Sequence, residues 1–236
     1  MKYNLYDKEF EVFNMIIDLS IIDEIYYKES DELGLFNNMR DVEYWKDNTK
    51  DSPDIISDKY KTMIECMQIN DYSKNGKINK YAKDSSEKIK EINKVMNLKQ
   101  TFPNLNSIFI NSEVPKEYCS IDNYKKMIYK VIGKHIRNID SYREKYKNYK
   151  LAFLIIDLTE TNYYMKVKVK EVSSFTEVPY HPVIDEEVMN IFLDKDIDYV
   201  LWYRPFQQLG IINKLVIINN KRLSSFINEH YRKEAN

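Results

Sequence analysis

The residues best placed to do chemistry are two acids: Ser52-Pro53-Asp54, ten intervening residues, then Glu65-Cys66-Met67. Each acid sits in a short apolar or β-branched run, Asp54-Ile55-Ile56-Ser57 and Thr62-Met63-Ile64-Glu65-Cys66-Met67-Gln68-Ile69, and the polar stretch Asp58 to Lys61 separates them. Two such runs around a polar break predict a β-hairpin. If the chain turns about Lys59-Tyr60, positions whose numbers sum to 119 face each other, so Asp54 stands opposite Glu65. Directly opposed residues have Cβ atoms about 4.5–5.5 Å apart. Two carboxylates at that separation repel unless a cation lies between them, and hard oxygen ligands with room for water suit Mg²⁺ or Mn²⁺. On the other face Ile55, Ile64 and Cys66 would pack together, because side chains alternate along a strand. Lys59-Tyr60 lacks the glycine that primed hairpin turns favour, so the turn alone does not dictate this register. The purely structural alternative has Asp54 capping a turn and Glu65 paired with a surface lysine.

The segment resembles the PD-(D/E)XK nuclease family, whose core is a helix, a strand hairpin bearing the acidic residues, a helix and a further strand. Pro53-Asp54 matches the family's Pro-Asp, Glu65 its second acid, and Glu11 or Glu9 the first-helix glutamate of many members. The resemblance covers a core of about residues 7–157, with a C-terminal α/β extension over 158–236, within a single domain spanning 1–236. It implies a restriction endonuclease-like fold and metal-dependent hydrolysis of phosphodiesters in DNA or RNA. Asp54, Glu65 and Glu11 or Glu9 would be catalytic, with Asp54 and Glu65 holding Mg²⁺ or Mn²⁺. One position departs from the pattern: the family's lysine, two residues after the second acid, is Met67. Gln68 cannot take its place without a bulge, since it points to the other face. A cation would have to come from elsewhere, with Lys61, Lys74 and Lys130 as candidates. The departure supports an alternative, a nuclease-fold protein without catalysis that serves as a nucleic-acid- or protein-binding module.

Between Tyr124 and Lys150 there are nine basic residues and two acids, a local excess of seven positive charges. Lys126, Lys130, Lys134 and Arg137 recur at i+4 and i+3, which places them on one ridge beside an apolar stripe. Such a ridge can neutralise phosphates. It is equally what a solvated helix face looks like when acids such as Asp185-Glu186-Glu187 and Asp194 to Asp198 balance it. His135 falls on the apolar stripe and reads as a satisfied core histidine, while His181 and His230 have no neighbours at zinc spacing. Cys66 alternates away from Glu65 and reads as packing rather than as a nucleophile. Glu160 follows a buried strand and could line a cleft. The aromatic stretch Trp202-Tyr203-Arg204-Pro205-Phe206-Gln207 reads as core and contact surface more than as a base-stacking platform.

These residues need elements to position them. Phe10, Phe13, Ile16, Ile17, Ile21 and Ile25 at helical spacing predict a helix over 7–28. Residues 29–53, with Gly34, Asn37, Asn38, Asp51 and Ser52, read as a long connection with one short helical turn. After the hairpin, 70–77 reads as a loop, 78–98 as an exposed helix and 107–110 as a small strand. Tyr124, Met127, Ile128, Val131, His135, Ile139 and Tyr142 predict one helix over 122–147. The continuous apolar run Leu151 to Ile156 predicts a buried strand. Further strands are expected at 163–172, 198–203 and 214–219, and helices at 185–193 and 221–233. The fold class is α/β, mixed α+β, with a central mixed sheet flanked by helices.

The whole chain narrows the options. Its 236 residues are 43% hydrophobic and 31% charged, enough for a core and a polar surface. With 36 Lys+Arg against 37 Asp+Glu the formal charge is −1, so a polyanion must be met by a local patch such as the 122–147 helix. Four separated glycines exclude a P-loop or a dinucleotide fingerprint. Two cysteines exclude a disulfide framework and a four-cysteine zinc site. No membrane span and no leader are read from the sequence, so a cytoplasmic, soluble protein is expected, with nucleic acid as partner and self-association into a homodimer also considered.

Overall fold

The computed structural model describes residues 9–21, 24–48, 51–69, 73–74, 77–78, 120–159, 163–168, 175–205 and 214–227. The predicted hairpin lies toward one edge of the main sheet. Strand β3 (Ile55–Ser57) pairs antiparallel with β4 (Thr62–Ile69) in the register Ile55 with Ile64, Ile56 with Met63 and Ser57 with Thr62. That is the sum-119 pairing, closed by Lys61 at a positive φ of 46°. A short strand, β2 (Lys46–Asp47), extends the hairpin on its outer edge.

The other neighbour of β4 is β7 (Lys150–Asp157), which runs parallel to it over eight paired positions. A parallel neighbour requires a crossover. Helices α3 (Ile121–Ile136) and α4 (Ile139–Lys145) lie in that connection. The single helix expected over 122–147 is thus two, broken at Arg137-Asn138. Strand β10 (Tyr199–Tyr203) pairs parallel with β7, β11 (Leu215–Asn219) antiparallel with β10, and β1 (Ile25–Tyr26) parallel with β11. Among the described residues these seven strands make one mixed sheet, in the order β1-β11-β10-β7-β4-β3-β2. Two further strand pairs, β5 (Ser73–Lys74) with β6 (Lys77–Ile78) and β8 (Tyr164–Lys168) with β9 (Phe175–Pro179), lie outside it.

Both faces of the sheet are covered, which explains the unbroken apolarity of β7 and β10. On one face Met63, Met67, Phe153, Ile155, Val200 and Trp202 pack against α3, α4 and the segment 183–193. On the other, Ile55, Ile64, Cys66, Leu154 and Leu201 pack against α1 (Glu9–Ile17) and α2 (Ser30–Arg40). The expected grouping of Ile55, Ile64 and Cys66 is present.

Several element boundaries differ from the sequence reading. The first helix stops at Ile17, and Ile25 lies in a strand, its apolar side chain buried against Leu215's strand rather than on a helix face. Residues 30–40, read as connection, form α2. Glu32 reaches back to accept the Glu29 N–H at 3.0 Å and the Lys28 N–H at 2.7 Å, which satisfies backbone donors at the helix start. The helix expected at 185–193 is a short α5 (Glu186–Met189) between two 3₁₀ turns. The expected strand at 163–172 is β8, and its partner β9 was not anticipated. The expected helix 78–98 beyond Ile78, the strand 107–110, Glu160, Phe206, Gln207 and His230 lie outside the described residues. No helix of the described residues is long and apolar enough to cross a membrane.

Candidate carboxylate site

The β3–β4 pairing ends at Ile55 and Ile64, and Asp54 lies one residue before β3, where the same register carried on by one position would set it opposite Glu65. Asp54 continues the ladder with its side chain: Oδ2 accepts the Cys66 backbone N–H at 2.8 Å. Its main chain is fixed as well, because its carbonyl accepts the Asn48 N–H at 2.7 Å and the Asn48 amide donates to the Pro53 carbonyl at 2.8 Å. The Ser52-Pro53 peptide bond is cis.

Glu65 shares the parity of Met63 and Met67 and therefore points to the α3 side. It is buried, with only 5% of its side chain exposed. One oxygen is held: His135 Nδ1 of α3 lies 2.6 Å from Glu65 Oε1. The other, Oε2, is buried without a hydrogen-bond partner. Tyr142 of α4 also borders this carboxylate. Burial first, and the neighbouring Glu65 second, push the Tyr142 phenol well above its ordinary value.

The charges of this cluster act on one another. Asp54 is pushed up to about 6, first by burial, then by the Glu65 charge and more weakly by Glu9, against the Cys66 N–H and His135, which pull it down. Glu9, at the start of α1, therefore belongs to the same electrostatic neighbourhood. Glu11, the other first-helix candidate, is exposed. Cys66 is buried, and burial followed by Asp54, Glu65 and Glu9 pushes its thiol well above the ordinary range, which disqualifies it as a nucleophile.

Met67 is 2% exposed and lies in the core beneath α3, so the strand position two after Glu65 supplies no charge. Of the candidates for a substitute, Lys61 sits at the hairpin turn with Nζ 3.5 Å from the Tyr149 hydroxyl, and Lys130 is exposed on α3. The side chain of Lys74 lies outside the described residues. Lys145 of α4 pairs with Asp51, three residues before Asp54, and lies 3.4 Å from the Ser52 carbonyl.

Lys126, Lys130, Lys134 and Arg137 are all exposed. At about 100° per residue, Lys126, Lys130 and Arg137 fall roughly opposite the Tyr124, Ile128 and Ile132 stripe, so the ridge faces outward and not beside the sheet-facing side. The acidic regions balance other cations. Lys125 pairs with Asp185 at 2.6 Å and Glu187 at 2.9 Å, and Arg143 with Asp196 and Asp198, each at 2.9 Å. No ion pair joins the four ridge residues to an acid among the described residues.

His135 was legible as a stripe residue with a satisfied ring, but not as the partner of Glu65, 70 residues earlier. A second buried polar group lies on the same sheet face at the end of β7. Tyr124 donates to Asp157 Oδ2, Trp202 Nε1 donates to the same oxygen at 3.2 Å, and Arg204 Nε forms an ion pair with it at 3.2 Å. The Thr159 N–H donates to Oδ1 at 3.1 Å. Trp202, Tyr203 and Arg204 are buried, as core reading requires.

The fit of a divalent ion can be judged from these groups. Among the described residues no three or more His, Cys, Asp or Glu side chains are arranged to hold a metal. The pair Asp54 and Glu65, with one orphaned buried oxygen, fits an ion that takes one or two carboxylates and completes its shell with water and phosphate, the habit of Mg²⁺. Compared with family models, curated proteins and solved structures, the chain has no match.

Proposed function

We infer that the protein is a metal-dependent phosphodiesterase of the nuclease type, acting on DNA or RNA at Asp54 and Glu65. The observation that carries this reading is the proximity of the pair: a half-buried and a buried carboxylate, near enough for the Glu65 charge to act on Asp54, with one oxygen of Glu65 left without a partner. Like charges so placed favour a cation or a proton between them. The chain order supports it too, since α1, the acid-bearing hairpin, the helical crossover and parallel β7 follow the order that the PD-(D/E)XK resemblance implies.

Asp54 and Glu65 would hold Mg²⁺ or Mn²⁺. When bound, the ion supplies a lowered pKa for an attacking water and neutralisation of the scissile phosphate. Asp54 is fixed by the Cys66 N–H and Glu65 by His135, so both present their carboxylates from ordered backbone. The outward ridge of α3 provides a surface for phosphates further along the strand.

The second reading is a nuclease-fold module that binds nucleic acid or protein without cleaving. Burial of Met67 favours it, because no cation stands where the family's lysine would act. One experiment separates the two: plasmid, single-stranded DNA and RNA are incubated with the protein in Mg²⁺ and in Mn²⁺, beside Asp54→Asn. Cleavage that the variant loses supports hydrolysis. Retained binding without cleavage in either protein supports the module. Absence of both cleavage and Mn²⁺ uptake overturns the metal reading.

A further inference from the structure

We propose that His135 is a positioning residue for the carboxylate site: it holds Glu65 Oε1 so that Oε2 is the oxygen offered to the cation. The inference rests on the metal reading above. A carboxylate that ligates a cation only accepts hydrogen bonds, so in this arrangement His135 Nδ1, 2.6 Å from Oε1, would be the donor. The two oxygens of Glu65 are therefore unequal. One is satisfied by an imidazole from α3, and the other is buried and unsatisfied. A buried oxygen without a partner is costly, and a fixed ligand completing its bonding would remove that cost.

The rotamer of Glu65 is set from outside its own strand. Met63 and Met67 flank it on the same face, Tyr142 borders it, and His135 reaches it from the last turn of α3. Outer partners of this kind orient a ligating carboxylate, and their removal typically costs about 10–100-fold in metal affinity.

A merely structural role would fasten α3 to the sheet and nothing more. The two roles part on Mn²⁺ affinity measured without nucleic acid, by electron paramagnetic resonance and calorimetry on the full chain. His135→Leu keeps bulk and removes the donor. His135→Asn keeps an N–H at the position of Nδ1. Positioning predicts about 10–100-fold weaker Mn²⁺ binding for the Leu variant and near-complete rescue by Asn. If wild type binds Mn²⁺ and the Leu variant binds it equally well, the inference falls while the metal reading stands. If wild type takes up no Mn²⁺, the metal reading falls and the inference with it. Should the Leu variant not fold, His135→Gln, which displaces the donor by one methylene, replaces it. Wild-type affinity there overturns the proposal and a clear loss sustains it.

Discussion

Tyr124 and Asp157 are joined across the packing of α3 on the sheet, the buried phenol donating to the buried carboxylate. Eleven residues further along the same helix, His135 makes the equivalent bond to Glu65. At about 1.5 Å per residue the two anchors stand roughly 16 Å apart along the helix. Between them Ile128 and Ile132 are fully buried. The helix that covers the carboxylate site is thus fastened at both ends by a polar bond to a different strand.

The Asp157 end should carry much of the stability. Asp157 is fully buried, and Arg204, 4% exposed, is its countercharge. Removing one member of a buried pair leaves an uncompensated charge, typically at a cost of about 3–5 kcal/mol. Arg204→Met should lower the unfolding free energy by that order, read as a lower urea midpoint with an unchanged slope, and Tyr124→Phe should lower it by about 1.5–3 kcal/mol. Equal, negligible effects from both would show that Asp157 is not held as described.

The Asp54 end should behave in the opposite way. Its carboxyl is raised in the folded chain to about 6, from about 3.9 in an unfolded one. Between these values the folded state binds more protons, so this group's contribution to stability falls as pH rises from about 4 through 6 and stays unfavourable above. In a chelator at pH 8, Asp54→Asn should therefore melt a few degrees above wild type, with the gain vanishing near pH 4. Adding Mn²⁺ should raise the melting temperature of wild type and not of the variant. A wild type that melts higher in chelator would contradict the repulsion.

Much of this was readable in the sequence where the signal is local. The two apolar runs around Asp58 to Lys61 made the hairpin and its sum-119 pairing readable, but Met63 and Met67 make the Glu65 face as apolar as the face of Ile64 and Cys66, so alternation alone did not dictate the register. The stripe of α3 was equally plain. Helix α2 was hidden because Gly34, Asn37 and Asn38 are poor helix formers, an effect offset by burial of Leu35, Phe36 and Met39. Its start is held by Glu32, which also accepts the Asn219 N–H at 2.8 Å, a contact spanning 187 residues. The His135–Glu65 bond is long-range in the same sense. Helical periodicity shows that His135 faces inward, and only the docking of α3 on β4 reveals what it meets.

A buried histidine should set the acid side of the stability curve. His181 is fully buried, and burial, then the Arg204 charge, holds it well below its ordinary value. Its Nδ1 accepts the Val183 N–H at 3.2 Å, and Nε2 has no partner. The unfolded chain takes up a proton below about pH 6.5 that the folded chain refuses, so stability is lost as pH falls through that value, by up to about 1.4 kcal/mol per unit. His181→Asn keeps an acceptor for the Val183 N–H and removes the titrating group. Denaturation at pH 5 and pH 7.5 should show a smaller loss in the variant than in wild type. An unchanged loss would place the acid sensitivity elsewhere.

The outward ridge of α3 separates binding from folding. Lys126, Lys130 and Lys134 are exposed and carry no ion pair among the described residues, so reversing them should leave stability within about 0.5 kcal/mol. If the ridge tracks a phosphate backbone, each lost contact removes about 0.7 from the slope of log affinity against log salt on a single strand, and about 0.9 on a duplex. Lys126→Glu, Lys130→Glu and Lys134→Glu together should weaken binding steeply at low salt and flatten that dependence. Because the ridge lies across the helix from Glu65, the triple variant should keep its Mn²⁺ affinity. Asp54→Asn should do the reverse, losing Mn²⁺ and keeping nucleic acid. A triple variant that binds nucleic acid like wild type, with the same salt slope, would mark the ridge as an ordinary solvated face and remove nucleic acid as the partner of α3.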